Sequence, residues 1–196
     1  MTPPAVWVTI GAGGANMAVV NVLEGFHPLT VDEYVRLAGS PSWDRTELIG
    51  GVVYDMSPRY DLHAGTIITV GARLLPLFPE RVRSAGSVQL DRHTMVEPDV
   101  YVLQETAVVA PDGWSFGHQL HLAVEICVSS HSRDLHLKLP VYAGAGVPEY
   151  WVVDPRPGKE VLLRHTRPAD RAYEVVQSIP VGVGARDLDP AAILGI

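Results

Sequence analysis

The spacing of apolar positions changes several times along this chain, and each change marks an element. Thr30 stands at the capping-box distance from Glu33 and opens a predicted helix of about two turns through Leu37, with Pro41 closing it. Glu47-Leu-Ile-Gly-Gly-Val-Val-Tyr-Asp-Met alternates apolar and polar around a glycine pair, which predicts a hairpin ended by Ser57-Pro58. From His63 to Phe78 the residues Ile67, Ile68, Leu74, Leu75 and Phe78 recur at helical spacing and predict the main helix, packed on a sheet. Val82 to Leu90 reads as one strand, and Asp91 to Thr94 as its turn into the next.

Two apolar runs then follow, each with one carboxylate: Pro98-Asp99-Val100-Tyr101-Val102-Leu103 and Leu122-Ala123-Val124-Glu125-Ile126-Cys127-Val128. Their length and Val/Ile content predict buried strands. Residues Gln104 to His121 between them form a loop or short helix around Pro111-Asp-Gly. Ser129, Ser130 and Ser132 offer caps for a helix ending near Gly144 or Gly146. Glu149-Tyr-Trp-Val-Val-Asp-Pro is a further strand, Val161 to His165 and Tyr173 to Val176 a final hairpin, and Leu188 to Leu194 a terminal helical turn. The alternation of helices and strands predicts an α/β or α+β domain with a mixed sheet.

A carboxylate inside an apolar strand is costly unless something compensates its charge. For Glu125 there are two compensators to weigh: a structural ion pair with an arginine, and a divalent metal ion shared with Asp99. Composition narrows the setting. With 196 residues, 47% hydrophobic and 19% charged, the chain is a globular sequence of one-domain size. The formal charge of −7 argues against a large, permanent nucleic-acid interface and leaves room only for a local patch. A single cysteine excludes a disulfide framework and suits a reducing, cytoplasmic setting. Residues Met1 to Leu23 carry no charge, yet they have no basic n-region, and Gly11, Gly13, Gly14, Asn16 and Asn21 dilute the apolar run. Residues 1–26 are expected to be a poorly ordered arm, or sequence upstream of a start at Met17, with residues 27–196 as the domain. No membrane role is expected. Gly11-Ala-Gly-Gly lacks a Walker lysine, the eight histidines lack a second zinc-ligand pair at a recognised spacing, and no GxSxG elbow is present.

Glu47-Leu-Ile-Gly-Gly, Met56-Ser-Pro, His63, Glu97-Pro-Asp-Val, Val124-Glu-Ile-x-Val-Ser-Ser, Arg133-Asp-x-x-x-Lys138 and Gly146-Val-Pro-Glu-Tyr-Trp-Val-Val-Asp-Pro occur in this order. Together they resemble the Uma-type restriction endonuclease domain family of the PD-(D/E)xK nuclease superfamily, over roughly residues 28–196. The resemblance implies a restriction-endonuclease-like fold, a mixed central sheet flanked by helices. It also implies an active site of Asp99, Glu125 and Lys138, with Glu47 as an additional acid. Asp99 and Glu125 would hold Mg²⁺ or Mn²⁺, and the activity implied is hydrolysis of phosphodiester bonds in DNA. The chemistry suits these residue types, because Mg²⁺ takes one or two carboxylates and keeps its other sites for water and phosphate. A lysine ammonium can orient the water or offset developing charge.

The chain departs from the superfamily motif in one place. The lysine normally found two residues after the glutamate is replaced by Cys127, read here as a small buried hydrophobe. Lys138, one of only two lysines, arrives thirteen residues after Glu125, and Pro140 is expected to kink or end its helix at a cost of ~3 kcal/mol. DNA affinity is expected from a local arginine patch of Arg81, Arg83 and Arg133, falling steeply with salt, and a homodimer is compatible with this reading. The competing reading is a nuclease-like binding or assembly module that does not cut. Deleting Met1 to Asn16 is expected to leave folding and solubility intact, because the stretch shows no helical or strand period; circular dichroism and gel filtration of the truncated protein check this.

Overall fold

The computed structural model describes residues 27–37, 45–58, 60–110, 113–128 and 134–196. The expected arm at 1–26, Pro41, the serine caps at 129–132 and Arg133 lie outside the described residues. Helix α1 (Val31–Leu37) begins at Thr30 as its spacing predicted. The Thr30 Oγ1 accepts from Glu33 N at 3.3 Å, and the Glu33 carboxylate accepts from Thr30 N at 2.8 Å, which completes a reciprocal capping box. Strands β1 (Thr46–Ile49) and β2 (Val52–Asp55) form the expected hairpin, with Ile49 opposite Val52. The turn between them puts Gly50 at φ +60° and Gly51 at φ +81°, the pair of left-handed residues that a two-residue hairpin loop requires.

Helix α2 (Asp61–Leu74) buries Thr66, Val70 and Leu74 along one face. The single strand expected over Val82 to Leu90 is two strands, β3 (Val82–Ser84) and β4 (Val88–Asp91), which belong to different sheets. Gly86 lies between them. Its missing side chain leaves room for the Tyr101 hydroxyl, which a Cβ there would meet at 2.4 Å. The Asp91–Thr94 turn is present, but it leads into β5 (Thr94–Val96) and reaches β6 (Val100–Leu103) only after Glu97-Pro98-Asp99. The expected loop after β6 also holds a short strand, β7 (Ser115–Phe116), and a 3-10 turn.

Strand β8 (Leu120–Ile126), helix α3 (Leu139–Gly144), and strands β9 (Glu149–Asp154), β10 (Val161–Ala169) and β11 (Ala172–Pro180) follow, and α4 (Pro190–Leu194) ends the chain. The strands make two mixed sheets. The larger runs β11-β10-β9-β8-β6-β3, with β8 and β9 parallel and the other pairs antiparallel. The smaller runs β2-β1-β5-β4-β7, with only β4 and β7 parallel. The predicted α+β class with a mixed sheet is realised, and the second sheet is what sequence periodicity did not separate.

Alternation decides which side chains meet between the sheets. On β8, Val124 and Ile126 pack with Val70 and Leu74 of α2, while Ala123 and Cys127 join Ile49, Val96 and Tyr142 in the core shared by both sheets. Glu125 lies between Ala123 and Cys127 in sequence and so shares their face. On β1, Leu48 packs with Val31 and Tyr34 of α1, and Ile49 faces the shared core. Glu47, two residues before Ile49, faces it too. Among the described residues no helix is long and apolar enough to cross a membrane.

The Gly-Gly turn also fixes the position of β1, because Gly51 packs beneath Pro28, whose Cβ an alanine Cβ would meet at 2.3 Å. A Cβ on Gly50 would meet nothing within 4 Å. Gly50→Ala is therefore expected to cost about 1 kcal/mol from left-handed strain alone. Gly51→Ala should cost more, about 2–3 kcal/mol, from strain plus the clash. Urea denaturation of both variants measures the difference, and equal costs would remove Pro28 from the account.

Candidate active site

Three buried charged side chains meet where the sheets face each other, Glu47 (2% exposed), Glu125 (3%) and Lys138 (4%), and Asp99 (8%) is buried one residue before β6. The Lys138 ammonium lies 2.8 Å from Glu47 Oε1 and 3.0 Å from Glu125 Oε1. It therefore joins β1 of the small sheet to β8 of the large one. The compensator of Glu125 is thus in part the lysine itself. Glu47 Oε1 also accepts from the backbone N–H of Glu97 at 2.9 Å, in the short link between the sheets.

Asp99 stands one residue before β6, where Val100 pairs with Val124. Continued by one step, the antiparallel register sets Asp99 opposite Glu125. Asp99 Oδ2 accepts from the Ile126 backbone N–H at 2.8 Å, which anchors the carboxylate at the end of β8. His63, on the first turn of α2, approaches the same oxygen with Nε2 at 3.1 Å. Its Nδ1 is buried and has no hydrogen-bond partner among the described residues.

Lys138 reaches this place through an unusual stretch of backbone. Residues Asp134–Lys138 form a π-helical turn, and α3 begins directly after it. Pro140 does not break the helix as expected. It sits in the first turn of α3, where its missing N–H has little consequence, and the wider π turn gives the ring room against the preceding carbonyls.

Tyr142 was not singled out from sequence. It is fully buried, and its hydroxyl donates to Glu125 Oε1 at 2.8 Å, the same oxygen that Lys138 binds. The available signal was its spacing, since residues four apart share one face of a helix. Burial pushes the Tyr142 hydroxyl well above the ordinary tyrosine range, and the Glu125 charge adds to that rise. Tyr142 is therefore a fixed neutral donor. Cys127 is buried in the shared core, as expected. Of the arginines expected to form one patch, Arg81 and Arg83 are among the described residues and Arg133 is not. Arg81 donates to Leu103 O at 2.7 Å and lies 5.2 Å from the Phe78 ring centroid, so it is held within the fold. Arg83, two residues on, is in β3 and is exposed.

The donor set can be tested against a divalent ion. Among the described residues no group of three or more His, Cys, Asp or Glu side chains converges to hold a metal by itself. The four buried residues nevertheless carry three carboxylates against one ammonium. Two carboxylates from neighbouring strands, with water and phosphate completing the shell, match what Mg²⁺ demands of a protein.

Against known proteins, residues 31–186 match the family model described as "Uma2: Putative restriction endonuclease". A solved structure, that of "a putative nuclease belonging to DUF820 from Anabaena variabilis", aligns with a TM-score of 0.62 at 16% sequence identity. The alignment covers 82% of this chain and 93% of that one. At such identity the likeness establishes the fold, which is restriction-endonuclease-like. No curated protein matches the chain.

The Tyr142 hydroxyl yields a stability test. Its bond to a charged acceptor should make Tyr142→Phe cost about 1.5–3 kcal/mol at pH 7 in urea denaturation. A group whose pKa is raised by folding contributes stability that is present below its unfolded value, ~10, and lost as pH rises through the folded one. Wild type should therefore lose stability above about pH 10, and Tyr142→Phe should lose less over the same range. Parallel curves for the two proteins would count against the assignment.

Proposed function

The chain belongs to the Uma2 family, and on that premise we propose that it is a metal-dependent endonuclease that hydrolyses phosphodiester bonds in DNA. The observation that carries this reading is the set of buried acids beside one lysine, with Lys138 paired to Glu47 and Glu125 and Asp99 in register opposite Glu125. Asp99 and Glu125 would hold the ion. Once bound, Mg²⁺ or Mn²⁺ polarises a phosphate and lowers the pKa of a coordinated water.

This chain's own residues supply the rest. Ile126 N–H and His63 orient the Asp99 carboxylate, and Tyr142 and Lys138 orient that of Glu125. Glu47 holds Lys138 from the far side, so the ammonium is aimed by two acids. Fixed in this way, it can stabilise negative charge that develops on the phosphate without reorganising during the reaction. The π turn and the first-turn proline bring Lys138 in from the helix, which replaces the lysine that the superfamily motif places at the position of Cys127.

The second reading, a module that binds and does not cut, is favoured by one observation. Lys138 already has two carboxylate partners, as a purely structural ion-pair network would. Plasmid and oligonucleotide cleavage in Mg²⁺ or Mn²⁺, with EDTA as control, separates the two. Asp99→Asn and Glu125→Gln are expected to abolish cleavage. Lys138→Met should lower it by about 10²–10³-fold, the usual effect of losing one preorganised charge donor. Because that variant also leaves two buried acids without their cation, it should lose about 3–5 kcal/mol of stability, so the assay is run well below its melting temperature. Divalent-ion binding with no cut under any ion would establish the module. Acid variants that cut as well as wild type would identify a contaminating nuclease.

A further inference from the structure

A half-open cavity of about 280 Å³ lies beside the acid cluster, between β3, β6 and the entry to β7. Arg83, Gly86, Ser87, Tyr101, Trp114 and Ser115 supply most of its wall, and among the described residues that line it none is a carboxylate. In a chain of net charge −7, a cavity whose described lining carries one guanidinium is a place where an anion can be accommodated. Tyr101 stands two residues beyond Asp99 on β6, and Arg83 pairs directly opposite it on β3. At strand rise this sets the cavity ~7 Å from Asp99 along the sheet, about one nucleotide step.

The polar groups are suited to a partner. The Tyr101 hydroxyl and Ser115 Oγ are both buried and lie 3.5 Å apart, too far for a strong bond to each other. Gly86, lacking a Cβ, lets the Tyr101 hydroxyl reach the cavity wall, since a Cβ there would meet that oxygen at 2.4 Å. Arg83 is held by Nη1 donation to the carbonyls of Glu80 and Val82 at 2.7 and 3.0 Å, and among the described residues it pairs with no carboxylate. The Trp114 indole is fixed by donation to Gln89 Oε1 at 3.1 Å.

We propose that this cavity is a nucleotide subsite, which takes the nucleotide next to the phosphate that is cut. The base stacks against Trp114 and meets the hydroxyls of Ser87, Tyr101 and Ser115, while Arg83 takes the phosphate. An aromatic ring, a forked cation and several hydroxyls in a space of this size match one nucleotide in a single-stranded or frayed segment. The subsite rests on the nuclease reading above and gives its substrate a point of attachment.

The test is binding in EDTA, where cleavage cannot occur. Tryptophan fluorescence is titrated with deoxyadenosine monophosphate and with a six-nucleotide single strand of thymidylate. Both should quench saturably, and Trp114→Phe should remove most of the change. Arg83→Gln should weaken binding about tenfold and reduce the salt slope for the oligonucleotide by about one. Ala110→Phe, at the exposed rim, should block the cavity with little effect on the fold, as circular dichroism will confirm. If Ala110→Phe misfolds, Arg83→Gln alone decides. Absence of saturable quenching in wild type, or quenching that neither Arg83→Gln nor Ala110→Phe changes, overturns the subsite. Cleavage by wild type without such binding removes the subsite and leaves the nuclease reading standing. Binding that follows the pattern in a protein that never cuts keeps the subsite and removes the nuclease.

Discussion

The Lys138 ammonium held between Glu47 and Glu125 is the contact on which the arrangement of the two sheets depends. Hydrophobic burial would pack the sheets in many relative positions, since it has no direction. Three buried charges allow few. Removing any one leaves the others desolvated, a penalty of several kcal/mol that holds β1, β8 and α3 to a single register. The helix complies by opening a π turn at Asp134–Lys138, and Tyr142 follows four residues later onto the same acceptor oxygen. Local backbone geometry that is rare in helix interiors is here a consequence of where the charge must go.

That lock makes the chemistry and the stability of the protein difficult to separate. A lysine aimed by two carboxylates is what a preorganised charge donor needs, and it is also what a structural ion-pair network looks like. The asymmetry lies with Asp99. Its oxygen is held by a backbone N–H and a histidine, and neither contact bears on the packing of the two sheets. An acid placed opposite Glu125 and served by separate positioning groups adds electrostatic cost to the fold with no matching gain in packing. This is the pattern expected where stability has been given up for function.

Much of this was legible in the amino-acid order, and the illegible part has identifiable causes. The Thr30–Glu33 cap, the Gly50-Gly51 hairpin and α2 depend on contacts close in sequence, so their spacing announced them. The break at Gly86 did not show, because Val82–Leu90 keeps an apolar character across a change of sheet, and the reason for the break is a tertiary approach by Tyr101. Glu125, Asp99, Lys138 and Glu47 were recognisable as a set from motif order, and the alternation of β1 and β8 explains why two of the acids face inward. Tyr142 was hidden because a tyrosine at helical spacing ordinarily reads as core. It is core, and only the direction of its hydroxyl makes it part of the site.

The charge of the whole molecule constrains how a polyanion could reach this place. At −7 the long-range field repels nucleic acid, and salt screens that repulsion over a Debye length of about 8–10 Å. Attraction at Arg83 acts over a few ångströms, where screening is weaker. Arg81 donates to Leu103 O and lies against the Phe78 ring, and Arg83 donates to the carbonyls of Glu80 and Val82. Each contact contributes about one unit to the salt dependence, and relief of the general repulsion acts in the opposite sense. On the reading proposed above, recognition would draw on short-range stacking and hydrogen bonds in the cavity lined by Arg83, Tyr101 and Trp114, with no gain in encounter rate from the net charge.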